Sequence, residues 1–383
     1  MSDPESVPPS PAPIEPTLPA PPEPRPDPQP LVFTGQGREY FRIWIVNLFL
    51  SVITLGFYSP WAKVRRLQYF YRNTRLAGSS FEYHGNPVAI LKGRIVGMIL
   101  FGGYYVAGYF SPLLGLAAFG VVAVIMPWLL ARSFRFRLFN SSYRGLRFGF
   151  HGSTASAYWV FLGLPLLSIL TFFLLVPFVH QRIRRYQHGS AAYGQSRFTI
   201  AAPAGEFYVV YLLTFTLWLG LAVVAVMGFM VMIIVTSFLV AASGGAIRTA
   251  PTPDSTAALV MTILGFLWIL AIYGSVILCL RAFFTSRIQN LVWNSTRLGP
   301  HRFSSRIQAR RLFGIMLGNV AMTIVTLGLF APFAQVRLAT YFAETFVVVP
   351  GGSLDDFVAD DRQRNVSAIG EEAAEFFDLD IAF

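Results

Sequence analysis

Long apolar runs constrain this chain more than any other feature. Seven stand out, at 41–58, 94–110, 112–130, 157–179, 207–241, 257–280 and 312–334. A helix needs ~20 apolar residues to cross the hydrocarbon core of a bilayer. Several runs reach that length with scarcely an ionisable side chain inside. Only 13% of the 383 residues are charged, against roughly a quarter in soluble domains. A soluble globular domain, a disordered chain and a disulfide-stapled domain are therefore excluded. The single cysteine, Cys279, leaves no intrachain disulfide and no cysteine-based metal site. No basic segment leads into an apolar one at the N-terminus, so no cleaved signal peptide is expected.

Charge divides the chain into three regions. Residues 1–30 hold 13 prolines and a net charge of −4. They read as a disordered, polyproline-leaning acidic tail. The bland reading of such a tail is a solvated spacer; the functional one is a ligand, through stretches such as 19–30, for a proline-reading cytosolic partner. The membrane domain, 31–346, carries nearly all the basic residues and only a handful of acids. Residues 347–383 form an acidic C-terminal tail. A basic, apolar body points to anionic membrane lipids as partners. Nucleic acid is the poorer reading of the high isoelectric point, because the basic residues lie between apolar runs.

The sequence repeats itself. Run one ends in Ser59-Pro60-Trp61-Ala62-Lys63-Val64-Arg65, and run seven in Ala331-Pro332-Phe333-Ala334-Gln335-Val336-Arg337. Met126-Pro127-Trp128 and Val176-Pro177-Phe178 stand at the matching places of runs three and four. Asn73-Thr74-Arg75-Leu76, Asn140-Ser141-Ser142-Tyr143 and Asn294-Ser295-Thr296-Arg297-Leu298 follow the basic stretches, and each leads to a Phe-containing strand. One unit is thus an apolar segment, a Pro-Trp/Phe break, a basic aromatic helix and one short cytoplasmic strand. The expected fold is an all-α polytopic membrane protein built on this pseudo-repeat, with the short strands pairing into a small sheet. Gly56 suits a left-handed helix end, and Ser59 with Pro60 suits the start of the next helix.

The loops 62–94, 131–156, 180–206 and 281–311 are rich in Lys and Arg, whereas 111–112 and 242–256 are not. The positive-inside rule puts the basic loops in the cytoplasm. Runs two and three then form one hairpin, and five and six another. Run four joins two basic loops, so it is expected to be re-entrant or interfacial, broken at Gly163-Leu164-Pro165. Runs one and seven follow by repeat analogy. Between four and seven crossings remain open.

Phe33-x-Gly35, Glu39-Tyr40-Phe41, Asn47, Thr54-Leu55-Gly56, Pro60-Trp61-Ala62, Arg65, Asn73-Thr74 and Phe81-x-Tyr83-x-Gly85 resemble an uncharacterised bacterial inner-membrane family, the one typified by YjgN. The resemblance covers roughly 31–346. It implies a multi-pass bacterial inner-membrane protein. It brings no activity and no catalytic residues, and both tails depart from the family core.

The residues offer little chemistry. No phosphate loop, nucleophile elbow or metal-binding spacing occurs. His84, His151 and His301 occupy related repeat positions, but strand-end or turn histidines are the simpler reading. Glu39 and Glu206 precede runs one and five and read as interfacial partners of nearby arginines. No cofactor and no enzymatic activity are expected. Asn47, Thr54, Asn319 and Thr326 are polar groups at matching places in runs one and seven. They are candidates to line a cavity; hydrogen bonding between membrane helices is the competing reading. Arg65, Arg66, Arg132, Arg135, Arg182, Arg185 and Arg337 are candidates to grip lipid phosphate, as Arg does bidentately, against a purely topological role. The reading that follows is passage or binding of a small solute or lipid, with a scaffold that organises anionic lipid or recruits partners as the alternative.

Overall fold

The computed structural model describes residues 27–242, 256–353, 355, 357 and 358. The Pro-rich stretch up to residue 26, most of the 242–256 loop and most of the acidic tail lie outside the described residues.

Five units follow one another, each a strand, a helical hairpin and a second strand. The first is β1 (Gln29–Phe33), α1 (Gly37–Ile53), α2 (Ser59–Arg72) and β2 (Thr74–Leu76). The second is β3 (Ser79–Tyr83), α3 (Pro87–Phe110), α4 (Pro112–Phe139) and β4 (Ser141–Tyr143). The third is β5 (Leu146–Phe150), α5 (Thr154–Tyr158), a π-helical turn (Trp159–Gly163), α6 (Leu164–Leu170), α7 (Val176–Gly189) and β6 (Ala191–Tyr193). The fourth is β7 (Ser196–Ile200), α8 (Ala204–Ala242), α9 (Thr256–Asn294) and β8 (Thr296–Leu298). The fifth is β9 (His301–Ser305), α10 (Ala309–Val325), α11 (Ala331–Glu344) and β10 (Phe346–Val349).

The ten strands close into one antiparallel barrel, so the all-α expectation is wrong. Within each unit the first strand pairs with the last, as Leu31 does with Leu76 and Phe148 with Tyr193. Each unit passes to the next through a tight turn. In two of these turns Ala77-Gly78 and Arg144-Gly145 have positive φ at both positions, as turns that match strand twist require. The last gap closes without a covalent link, where Gln29 and Pro30 pair with Val348 and Val347. The repeat had revealed one strand per unit; the other is the segment directly after the second helix. At three residues, Thr74-Arg75-Leu76 is too short for its alternation to register. Such short strands are stable because closure leaves no unpaired edge.

Antiparallel pairing also fixes direction. Every hairpin of helices leaves from one rim of the barrel, and every tight turn lies at the other. Run four therefore starts and ends at the same rim, since Phe150 pairs with Ala191. Its reversal is not at Gly163-Leu164-Pro165. There the helix widens by a π turn, and Gly163 leaves room for the Trp159 ring, whose nearest atom lies 2.7 Å from where a Cβ would stand. The chain turns back at Phe172 and Phe173, both at positive φ.

Among the described residues, four helices are long and apolar enough to cross a membrane, in α3, α4, α8 and α9. The other three units are shorter and break alike. Leu55-Gly56 and Leu327-Gly328 turn through φ of 49° and 91°, and 50° and 94°. The Gly56 N–H donates to Ser51 O at 2.7 Å, and Gly328 to Thr323 O at 2.7 Å. Ser59 begins α2 rather than capping it; the Oγ1 of Thr54 accepts the Tyr58 N–H at 2.9 Å. Pro60, Pro127 and Pro332 are fully buried, and Ala282, also fully buried, holds the matching place in unit four.

Candidate functional site

One residue per strand builds a layer across the barrel. These are the cross-strand pairs Leu31–Leu76, Phe81–Tyr143, Phe148–Tyr193, Phe198–Leu298 and Phe303–Val348. Each residue is the inward-facing third residue of its strand, and side chains alternate across a strand. Two tyrosines fix the layer. The Tyr143 hydroxyl donates to Leu76 O at 2.7 Å, and that of Tyr193 to Tyr143 O at 2.9 Å. Burial accordingly raises the Tyr143 pKa above the ordinary phenol value, the neighbouring Arg144 opposing it.

This layer does not fill the barrel. A cavity of about 640 Å³ runs along the lumen and between the barrel ends of the second helices. Its lining there is Phe70 and Tyr71 of α2, Leu138 of α4, Trp293 of α9 and Phe342 of α11. The few polar groups on its wall include Ser141, Gln289, His301 and Ser305. Its size falls in the ~300–1,000 Å³ range of small-molecule sites. Its apolar wall would leave a polar solute without hydrogen bonds, at a cost of about 1–3 kcal/mol per group.

None of Asn47, Thr54, Asn319 and Thr326 lines this cavity. They brace the short hairpins. Thr54 Oγ1 donates to Leu50 O at 2.7 Å, and Thr326 Oγ1 donates to Met322 O at 2.7 Å while accepting the Phe330 N–H at 3.0 Å. Asn319 is buried and ties its hairpin together; its Nδ2 donates to Ala334 O at 3.3 Å and its Oδ1 accepts from Arg337 at 3.1 Å. Asn47 is buried with an Oδ1 that has no hydrogen-bond partner among the described residues.

The candidate arginines lie outside the barrel, on the second helices. Arg65, Arg66, Arg135, Arg185 and Arg337 are exposed, and Arg132 and Arg182 half-buried. Several stack on rings: Arg65 over Tyr58 at 5.7 Å, Arg132 over Trp128 at 5.2 Å, Arg182 over Phe178 at 4.8 Å. The barrel wall adds further exposed arginines outside that candidate set, Arg75, Arg147, Arg197, Arg297 and Arg302. Arg297 and Arg302 stand directly opposite each other, where like charges repel.

The histidines do not converge. His84 Nε2 lies 2.8 Å from Ser142 Oγ and 3.4 Å from Glu82. His180 sits between units three and four, 3.1 Å from the Tyr211 hydroxyl, and burial, aided by Arg184, lowers its pKa to about 4. Burial, again with Arg184, lowers His188 to about 4 beside Trp293. Among the described residues no three His, Cys, Asp or Glu come together. His301, at the start of β9, is a strand-end histidine, and it is also 2% exposed and lines the cavity. Its signal in the sequence was a histidine opening a strand where unit two has Ser79 and unit three Leu146.

Comparison with known proteins gives a family without an assigned activity. Inner membrane protein YjgN of Salmonella typhimurium (strain LT2) is 33% identical over 147 residues, 38% of this chain and 37% of that protein. The protein of the same name from Escherichia coli (strain K12) is 32% identical over 148 residues, 36% of this chain and 35% of its own length. The chain thus aligns with little more than a third of the length of these curated relatives. No solved structure matches. Residues 28–376 match the family described as bacterial protein of unknown function, DUF898, and the chain belongs to that family.

Proposed function

We propose that this is an integral inner-membrane protein whose barrel holds the apolar part of a membrane lipid or a comparable apolar solute, without covalent chemistry. The apolar cavity of about 640 Å³, inside a barrel whose rim carries the membrane-facing hairpins, supports this best. A wall of Phe, Tyr, Leu and Val favours hydrocarbon through the hydrophobic effect, at ~25 cal/mol per Å² removed from water. The barrel and its basic surroundings lie on the cytoplasmic side. All hairpins leave one rim, so all the basic loops share one side, and the positive-inside rule names it. Arg65, Arg66, Arg132, Arg135, Arg182, Arg185 and Arg337 then stand near the headgroups, where Arg meets lipid phosphate. The exposed tips Leu55, Phe172 and Leu327 dip into the near leaflet.

Photo-crosslinking tests this reading. Membranes containing the chain are loaded with lipids whose acyl chain ends in a diazirine, and adducts are mapped by mass spectrometry. Adducts are expected on Phe148, Tyr193, Phe198 and Trp293 as well as on the outer faces of α3 and α8. Filling the cavity with Ala339→Trp should remove the barrel adducts and spare those on α3 and α8. Adducts confined to the helix faces in the unaltered chain would overturn the proposal.

A further inference from the structure

Beyond β10 the chain crosses the turn-side rim of the barrel. Gly351 packs on Pro300, so close that a Cβ there would run into the Pro300 carbonyl oxygen. The Gly351 N–H donates to His301 Nδ1 at 3.2 Å. The Asp355 carboxylate then forms an ion pair with Arg144. Two residues on, the Phe357 ring meets His301 edge-on at 4.6 Å, and Phe357 and Val358 pack on the layer of Leu76, Tyr143, Tyr193 and Leu298. A single turn of chain therefore puts a carboxylate on an arginine and apolar groups in the lumen.

Both receiving residues are built for more than a passing contact. Arg144 has a side chain only 16% exposed. Its Nε donates to Ser79 Oγ at 3.1 Å, a terminal nitrogen donates to Ala77 O at 3.1 Å, and its guanidinium lies 5.5 Å from the centre of the Tyr143 ring. A guanidinium so held, beside an apolar lumen, is preorganised for a carboxylate. His301 accepts at Nδ1, so the proton of the neutral ring sits on Nε2. Burial lowers its pKa and keeps the ring neutral. Nε2 is buried and has no hydrogen-bond partner among the described residues. A donor left so is costly, and here it borders the cavity.

We infer that the turn-side mouth of the barrel is a binding site for a long-chain carboxylate, with Arg144 taking the head, the aromatic layer and His301 lining the space for the chain, and Asp355, Phe357 and Val358 as the chain's own competing occupant. This rests on the reading of the barrel as a hydrocarbon site and names the ligand class and its regulation. An acyl carboxylate has the same two parts as the segment it replaces. Its head displaces the Asp355 carboxylate, whose side chain is already 84% exposed, and its hydrocarbon displaces Phe357.

Oleate, methyl oleate and oleoyl lysophosphatidate are titrated against the purified full chain in one detergent at fixed concentration. The double variant Asp355→Asn with Phe357→Ser removes the occupant and should tighten oleate binding roughly tenfold, the value of about one charge-assisted hydrogen bond. Arg144→Gln should weaken oleate by a similar factor and leave methyl oleate unchanged, and Arg144→Lys should restore part of the loss. If Arg144→Gln does not fold, the double variant and Arg144→Lys decide. Unchanged oleate affinity in the double variant, or equal losses of acid and ester on changing Arg144, overturns the inference. Tighter binding of the phosphate than of the carboxylate overturns the assigned head group. Methyl oleate that binds, and is excluded by Ala339→Trp, upholds the hydrocarbon site even where the carboxylate site fails; a methyl ester that does not bind removes both.

Discussion

Units two and four differ from units one, three and five in one respect: helix length. All five supply a pair of strands to the same barrel with the same pairing. In units one, three and five a second helix begins at the buried proline, with Pro60, Pro177 and Pro332 in the first turn. In unit two the matching Pro127 lies inside a continuous 28-residue helix, α4. In unit four Ala282 takes that place within the 39 residues of α9. The long hairpins are thus the short unit with helix added ahead of a fixed point. The lesson is that the barrel constrains only where a hairpin starts and returns. Its reach is free, so one unit can carry helices long enough to cross a membrane or a short broken hairpin.

The comparison breaks first at what the units share. Tyr143→Ala removes a buried ring from the barrel layer and the bond to Leu76 O. It should cost about 4 kcal/mol, as large-to-small aromatic changes do. The cost should appear as a loss of thermal stability in detergent large enough to lower recovery of folded protein. A shift of only a degree or two would mean that the barrel layer does not hold the units together. The difference between long and short units is sharpened by Ala282→Pro. If α9 is a rigid rod at the point where the short units restart, an interior proline should destabilise it by about 3 kcal/mol. An unchanged melting temperature would mean that α9 accommodates a proline at this point as α4 accommodates Pro127. The smallest expected effect lies at the short tips. Gly56→Ala and Gly328→Ala place a Cβ at φ above 90° in open space. Each should cost about 1 kcal/mol by backbone strain alone, and the two losses should agree. Unequal losses would show that the tips of units one and five are not equivalent.

Much of this was legible in the sequence, because local signals produced it. The apolar runs, the Pro-Trp/Phe breaks and the Phe at the centre of the first strand in units two to five are short-range patterns. So is the left-handed Gly56. Asn47 and Asn319 did match across the repeat, and both are buried in short hairpins, but matching gave no hint that they stand clear of the cavity. The barrel was not legible, because closing it takes a pairing between residues 29–30 and 347–348 that no window of sequence contains. The second strand of each unit was hidden by its length. Unit four was blurred by one substitution, Ala282 where the others carry proline. The cavity depends on how ten side chains from ten strands fail to fill a ring, and only the assembled barrel defines that.

The seam between β1 and β10 has a consequence for how the chain is made. The other four junctions between units are turns of the backbone and form as soon as they are synthesised. This one waits. From the time β1 emerges until β10 follows, some 300 residues later, its outer edge is open, and long-range pairing of this kind is slow. The second, third and fourth hairpins are made in the meantime. Closure therefore waits for β10, and the barrel wall is complete only when this distant strand meets β1.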